Sequence, residues 1–269
     1  MQRIDPAARI ADGARLAPDV EVGPYCVVGP KVELRAGVRL ISHVSVVGVT
    51  VIGERTVVAP FASLGTPPQS VKYRGGPTRL VVGADCDIRE SVTMNTGTED
   101  DHGITEVGNG CLLMVGTHVG HDCKVGNNVT CANNVLLGGH VTVGDNVVFG
   151  GQVAVRQFVR IGEGAMIVGL SGIRADVMPW GLAFGHLANL VGLNVIGMKR
   201  RGIARSDIYA LRKAYEELFF GAGSFRERLD RLALGKNSSL VEQMIAFIRA
   251  GGSRPLTMAI RRADADEES

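Results

Sequence analysis

Apolar residues recur at every sixth position over most of this chain. From Ile10 the register passes through Leu16, Val22, Val28, Leu34, Leu40, Val46, Ile52, Val58 and Leu64. It resumes at Val82, Ile88 and Met94. Shifted by one, it then runs from Val107 through Leu113, Val119, Val125, Cys131, Leu137, Val143, Phe149, Val155, Ile161 and Ile167 to Ile173. The residue four places further on is small or β-branched, as at Val20, Cys26, Val32, Thr117 and Val129, and the residue just after is often glycine. Neither the two-residue period of a strand nor the 3.6-residue period of a helix gives this spacing. A period of six is the signature of a hexapeptide parallel β-helix, in which each hexad supplies one short strand and one turn. Three hexads close an 18-residue triangular coil with its aliphatic side chains inside. Glycines and the pairs Asn127-Asn128 and Asn133-Asn134 suit corners that need positive φ.

Two stretches break the rhythm and then return to it: Thr66 to Thr78, TPPQSVKYRGGPT, and Glu99 to Thr105, EDDHGIT. Insertions in a solenoid project as loops from one face, often the binding face. The first gathers Gln69, Lys72, Tyr73 and Arg74, side chains suited to a polar or anionic ligand.

The rhythm ends near Pro179. Leu182 to Gly202 reads as a connector closing on Lys199-Arg200-Arg201. Beyond it the spacing turns helical. Ser206 is the expected N-cap of a helix whose stripe is Ile208, Leu211, Tyr215, Leu218 and Phe219, with Gly221 and Gly223 as its stop. Further helices are expected over 225–234 and 239–249, and a disordered tail at ADADEES. The expected organisation is a β-helix domain over 1–190 and a helical domain over 191–269, folded back on the prism.

Composition adds exclusions. Lys plus Arg number 29 and Asp plus Glu 27, a balance that gives no electrostatic footprint for nucleic acid. No run approaches 18 uninterrupted apolar residues, and the N-terminal MQRIDPAARIADG has no apolar signal core. Five cysteines with no CxxC pair read as reduced thiols, so a cytoplasmic protein is expected. Cys123 and Cys131 occupy interior hexad positions and read as core rather than as nucleophiles.

A periodic scaffold has no need of imidazoles, yet HVGHDC places His118 and His121 three apart with Asp122 directly after. A base backed by a carboxylate suits removal of a proton from a hydroxyl or amine near neutral pH. In an 18-residue coil His121, Gly139 and Gln157 fall in one column, with His140 one residue out of register. Stacked rungs rise about 4.8 Å each. Gly139 has no side chain, so a thioester carbonyl can approach its N–H. His43, His102 and His186 read as structural or surface residues.

IRESVT at 88–93, HVGHDC at 118–123, ANN at 132–134, GGHV at 138–141, QF at 157–158 and LNVIGMKRRG at 193–202 are then all on one chain. Together with the hexads, they resemble the bacterial UDP-N-acetylglucosamine O-acyltransferases that depend on acyl carrier protein and begin lipid A synthesis. The resemblance implies a left-handed β-helix in a homotrimer, with active sites between neighbouring prisms. It implies transfer of an (R)-3-hydroxyacyl group from acyl carrier protein to the sugar 3-position. The phosphopantetheine thioester is then the co-substrate, with no metal and no other cofactor. In that family's terms His121 is the general base, Asp122 supports it, and Gly139 N–H is the oxyanion donor. His118, His140 and Gln157 line the groove, Asn194, Arg200 and Arg201 belong to the nucleotide and phosphate region, and Gly169 falls where acyl length is set.

The chain departs from the pattern at Ser70, usually aspartate, at Asn95, often histidine, and at Arg156, usually histidine before QF. Leu187 and Ile196 replace residues that are often polar. These changes surround the acceptor, which makes a 3-amino sugar nucleotide an alternative acceptor. Two further classes compete. One is a zinc enzyme resembling the hexapeptide carbonic anhydrases, against which the histidine spacings of 3 and 19 speak. The other is a purely structural β-helix, which leaves HVGHDC and the two loops without purpose.

Overall fold

The computed structural model describes residues 3–260. The chain coils into a left-handed, three-sided parallel β-helix whose faces are sheets of 11, nine and eight strands, mostly two residues long. Pairing repeats at 18 residues, as in Arg3↔Glu21, Glu21↔Arg39 and Leu136↔Ala154. The hexad residues all point inward. Leu34, Leu64, Ile88, Leu113, Leu137, Phe149 and Ile167 are fully buried, as are Val20, Cys26, Val129 and Val147 at the following interior positions. Each aliphatic side chain stacks on its equivalents one coil away. The core is therefore a column, and each coil depends on its neighbours for burial.

Corners take left-handed backbone. Asn128 and Asn134 do so at φ 54° and 60°, as do bulkier residues including Asp122, His140 and Phe158 at 58°, 61° and 67°. At one corner side chains cap the turn amides. Asn109 Oδ1 accepts from Ala84 N–H, Asn127 Oδ1 from Asn109 N–H and Asp145 Oδ1 from Asn127 N–H, at 2.8, 2.9 and 2.7 Å.

Both interruptions leave the prism at one corner. The strands Ser63–Thr66 and Thr93–Asn95 lie in the nine-stranded sheet, and the strands that follow them, Arg79–Val82 and Ile104–Val107, lie in the eight-stranded one. Across the first loop Ile52 pairs with Val82, and across the second Val82 pairs with Val107. The register resumes after each excursion.

The connector is more ordered than its composition implies. Gly181–Phe184 and Asn189–Leu193 form an antiparallel hairpin, the latter strand spanning position 190, and Val195–Arg200 is a short helix, α1. An antiparallel return has no six-residue period, so the hexad register gives no sign of it. Helix α2 is Arg205–Phe220, and Ser206 is not its cap: the N-cap is Ala204, with no side-chain hydrogen bond, and Ser206 lies inside the first turn. Asp207 supplies the negative charge that this end of the helix favours. Gly221 ends the helix, with its N–H on Glu217 O. Helix α3, Phe225–Leu234, carries a full capping box between Ser224 and Glu227, and α4 is Ser239–Ala250.

Helix α4 docks on the last coils. Gln243 donates to Glu163 Oε2 and accepts from Trp180 Nε1–H, and the Arg160 guanidinium lies 4.3 Å over the Phe247 ring. The chain then returns to the prism through bridges Asp176↔Leu256 and Leu190↔Ala259. The expected disordered tail, ADADEES, lies outside the described residues.

Candidate active site

The corner that releases both loops is the corner of His121. His121 Nδ1 lies 2.9 Å from Asp122 Oδ2. Asp122 is fully buried and has its oxygens directed by donors. Thr98 N–H reaches Oδ1 and Oδ2 at 3.0 and 3.1 Å, and Thr98 Oγ1–H reaches Oδ2 at 2.7 Å. Asp122 N–H donates to Thr105 Oγ1 at 2.9 Å. A carboxylate so placed accepts from His121 Nδ1–H, which leaves Nε2 with its lone pair free to take a proton. Thr98 and Thr105 bracket the second interruption and have no motif of their own. The signal that could have found them is the break in register itself.

The His121 ring lies over Gly139. A Cβ at position 139 would come 2.6 Å from both Cε1 and Nε2 of His121. Among the described residues no acceptor takes the Gly139 N–H, whereas its carbonyl accepts from Phe158 N–H at 3.1 Å. The amides at the asparagine corner are capped by side chains; this one is left open beside a base.

His140 stands edge-on to His121, with centroids 4.9 Å apart at 89°, and stacks on Phe158 at 4.3 Å and 6°. Its N–H donates to His121 O at 2.8 Å. His118 Nδ1 lies 2.8 Å from Thr93 Oγ1, and burial, with His121 adding a repulsive charge, holds its pKa below the ordinary histidine value. Burial pushes the Cys123 thiol up to about 12, which suits core packing and not nucleophilic attack.

The chain is 60% identical over 266 residues, 98% of both chains, to an acyl-(acyl-carrier-protein)–UDP-N-acetylglucosamine O-acyltransferase of Azorhizobium caulinodans. The chain belongs to this acyltransferase family. The family model described as UDP N-acetylglucosamine O-acyltransferase, domain 2, matches residues 176–257. A crystal structure of a UDP-N-acetylglucosamine acyltransferase superposes with a TM-score of 0.92 at 38% identity, over 96% of this chain and 99% of that one. The enzyme from Moraxella catarrhalis does so with 0.91 at 41%, over 94% and 99%.

In this acyltransferase the remaining candidate residues fall at three places. Gln157 is exposed one rung beyond Gly139, and its carbonyl accepts from Arg254 Nε–H at 2.9 Å. Asn95 is buried, donating through Nδ2 to Thr66 Oγ1 and Pro67 O at 2.9 and 3.0 Å, while its Oδ1 has no partner among the described residues. Ser70 and Lys72 lie in the first loop, where Ser70 Oγ accepts from Lys72 N–H at 3.3 Å and the Lys72 side chain is exposed. The two loops are joined, because Glu99 Oε1 accepts from Arg74 N–H.

Asn194, Arg200 and Arg201 do not meet this group within one chain. Asn194 Oδ1 caps α1 by accepting from Gly197 N–H, and its Nδ2 donates to Gly164 O. Arg201 donates to Asn146 O, and Arg200 is exposed. Asn146 and Gly164 belong to the asparagine corner, across the eight-stranded face from His121. Gly169 lies near the third corner, where a Cβ would come 3.1 Å from Gly151 O.

Donor atoms of His121, Asp122 and His140 lie within 4.8 Å of one another, but His118 is not in that group, so the three histidines of the zinc alternative are not gathered at one point. Asp122 already accepts from Thr98 and His121. That donor set is built for an oriented imidazole rather than for a metal.

Proposed function

We propose that this chain moves an (R)-3-hydroxyacyl group from the thioester of acyl carrier protein to the 3-position of UDP-N-acetylglucosamine, with His121 as general base. The observation that carries the reading is the pairing of a carboxylate-oriented imidazole with an uncapped Gly139 N–H beneath it. Nε2 of His121 takes the proton of the sugar hydroxyl as the oxygen attacks the thioester carbonyl carbon. The Gly139 N–H donates a hydrogen bond to the developing oxyanion. Collapse of the tetrahedral adduct breaks the C–S bond, and His121 returns the proton to the thiolate. Every proton has a donor and an acceptor in this scheme.

A prism corner is convex, so a substrate groove there needs a second wall. A homotrimer supplies one. It sets the His121 corner of one chain against a neighbour's surface, which brings a route for Asn194, Arg200 and Arg201 to reach the nucleotide phosphates. His118, His140 and Gln157 then line the groove, Ser70, Lys72 and Asn95 approach the acceptor, and Gly169 leaves room along the acyl chain. The buried, unpartnered Asn95 Oδ1, which stands where histidine is common, keeps the 3-amino analogue in view as acceptor.

The test is the mass of the product formed from 3-hydroxyacyl carrier proteins of several chain lengths with UDP-N-acetylglucosamine and with its 3-amino analogue. An ester product from the hydroxy sugar is expected. A strong preference for the amine would move the assignment to amide formation, and no acyl product with either sugar would overturn the reading.

A further inference from the structure

His140 is held from three sides, and only one of these contacts fixes its orientation. Stacking on Phe158 at 4.3 Å and 6° sets the plane of the ring. Arg254, 5.7 Å from the Phe158 centroid and bonded to Gln157 O, braces that plate. A half-turn of the imidazole about its Cβ–Cγ bond preserves both contacts. It also exchanges each ring nitrogen with a carbon, so stacking alone leaves two orientations open. The third contact breaks the tie: Asp101 Oδ2 lies 2.7 Å from His140 Nδ1, and with Nδ1 there, Nε2 faces the catalytic pair at 3.9 Å from Asp122 Oδ2.

We propose that Asp101 is a positioning residue that selects the ring orientation of His140 and so keeps Nε2 on the catalytic side, presented to a hydrogen-bonding group of the substrate. The proposal rests on the reading of His121 as the base of this corner. Asp101 sits in the second loop, which is anchored at its root by Thr98 on Asp122. Its other oxygen, Oδ1, is engaged by His102 through the backbone N–H at 2.8 Å and Nδ1 at 2.9 Å, so His102 steadies the carboxylate that steadies His140. Hydrogen bonding from His102, with that from His140 adding, holds the Asp101 carboxyl below its usual range against the opposing effect of partial burial. An ionised carboxylate can only accept, so His140 Nδ1 carries the hydrogen. The catalytic corner thus holds two carboxylate–imidazole pairs, Asp122–His121 and Asp101–His140, meeting edge to face.

The experiment is a cycle of Asp101→Ala, Asp101→Asn, His140→Ala and the Asp101→Ala/His140→Ala double variant, in the full chain. Two readouts are taken: kcat and KM for each substrate, and the imidazole nitrogen resonances of His140 in the resting enzyme. Asp101→Ala should lower kcat/KM roughly tenfold, the scale of one charge-assisted hydrogen bond partly open to water. Asp101→Asn should recover only part of this, because its one amide oxygen can accept from His140 Nδ1–H or from the His102 N–H but not from both. In the His140→Ala background Asp101→Ala should change kcat/KM by less than about twofold. The hydrogen-bonded Nδ1–H resonance of His140 should be present in the wild type and lost in Asp101→Ala. An equal cost of Asp101→Ala with and without His140, or an unchanged His140 resonance, would overturn the proposal. The resonance is read without turnover, so it stands apart from the assignment of the reaction itself.

Discussion

Replacing Gly139 by alanine places one methyl group where the base and the oxyanion donor meet. The backbone there is outside the left-handed region, so alanine is conformationally allowed. The added Cβ would lie 2.6 Å from Cε1 and Nε2 of His121, against an ordinary carbon contact of about 3.5 Å. The imidazole must retreat by nearly an ångström, and a displacement of about 1 Å in a reacting group costs roughly 100-fold in rate. The same methyl obstructs approach of the thioester carbonyl to the N–H, and loss of one oxyanion donor costs roughly 100- to 1,000-fold, or about 2.7–4 kcal/mol. The two effects overlap, because both act on one transition state, so the expected fall in kcat is about 100- to 1,000-fold and not their product. The core is untouched, and the melting temperature should move by only a few degrees. Steady-state turnover of 3-hydroxyacyl carrier protein with UDP-N-acetylglucosamine, alongside a thermal melt, reads both. A folded Gly139→Ala enzyme with kcat within about threefold of wild type would refute the placement of His121 over this amide.

Asp122→Asn keeps the shape of the carboxylate but can present an NH₂ to His121 Nδ1; kcat should fall at least tenfold, with the larger share of the loss in kcat rather than in KM. The depressed pKa of His118 means that the unfolded chain takes up this proton first as pH falls. Its contribution to stability is therefore intact above the unfolded value of about 6.5 and is lost as pH falls from there toward the folded value. Melting temperatures at pH 7.5 and 5.5 should show a shallower drop in His118→Gln than in wild type. Arg160→Ala leaves Asp176, whose side chain is 2% exposed, without the guanidinium 2.7 Å away, and also removes the bond to Phe247 O. Urea unfolding should show a loss of about 3–5 kcal/mol, since the stranded carboxylate stays buried.

The prism was legible in the sequence because every coil repeats one environment. A residue six places on meets the same interior, and errors at single positions average out. The loops were visible as breaks in that register, and His121, Asp122, Gly139 and His140 could be placed near one another by counting in eighteens. What the register could not show is where a loop lands once it has left the prism. Thr98, Asp101 and Arg254 reach the site through tertiary contacts from irregular segments, and no periodicity specifies those. The terminal hairpin and α1 obey neither six-residue nor amphipathic helical spacing, so their sequence reads only as a connector. Asn194 shows how a motif can carry a local role: its oxygen caps α1 and its nitrogen ties that helix to Gly164 O.

Removal of the His121 imidazole tests the mechanism most directly. General-base catalysis contributes roughly 100- to 10,000-fold. His121→Ala should therefore lower single-turnover formation of acylated sugar nucleotide by at least about 100-fold, with the fold and carrier-protein binding kept. Acyl transfer at near wild-type rate by a folded His121→Ala protein would contradict the account, whatever the fate of the prism that carries it.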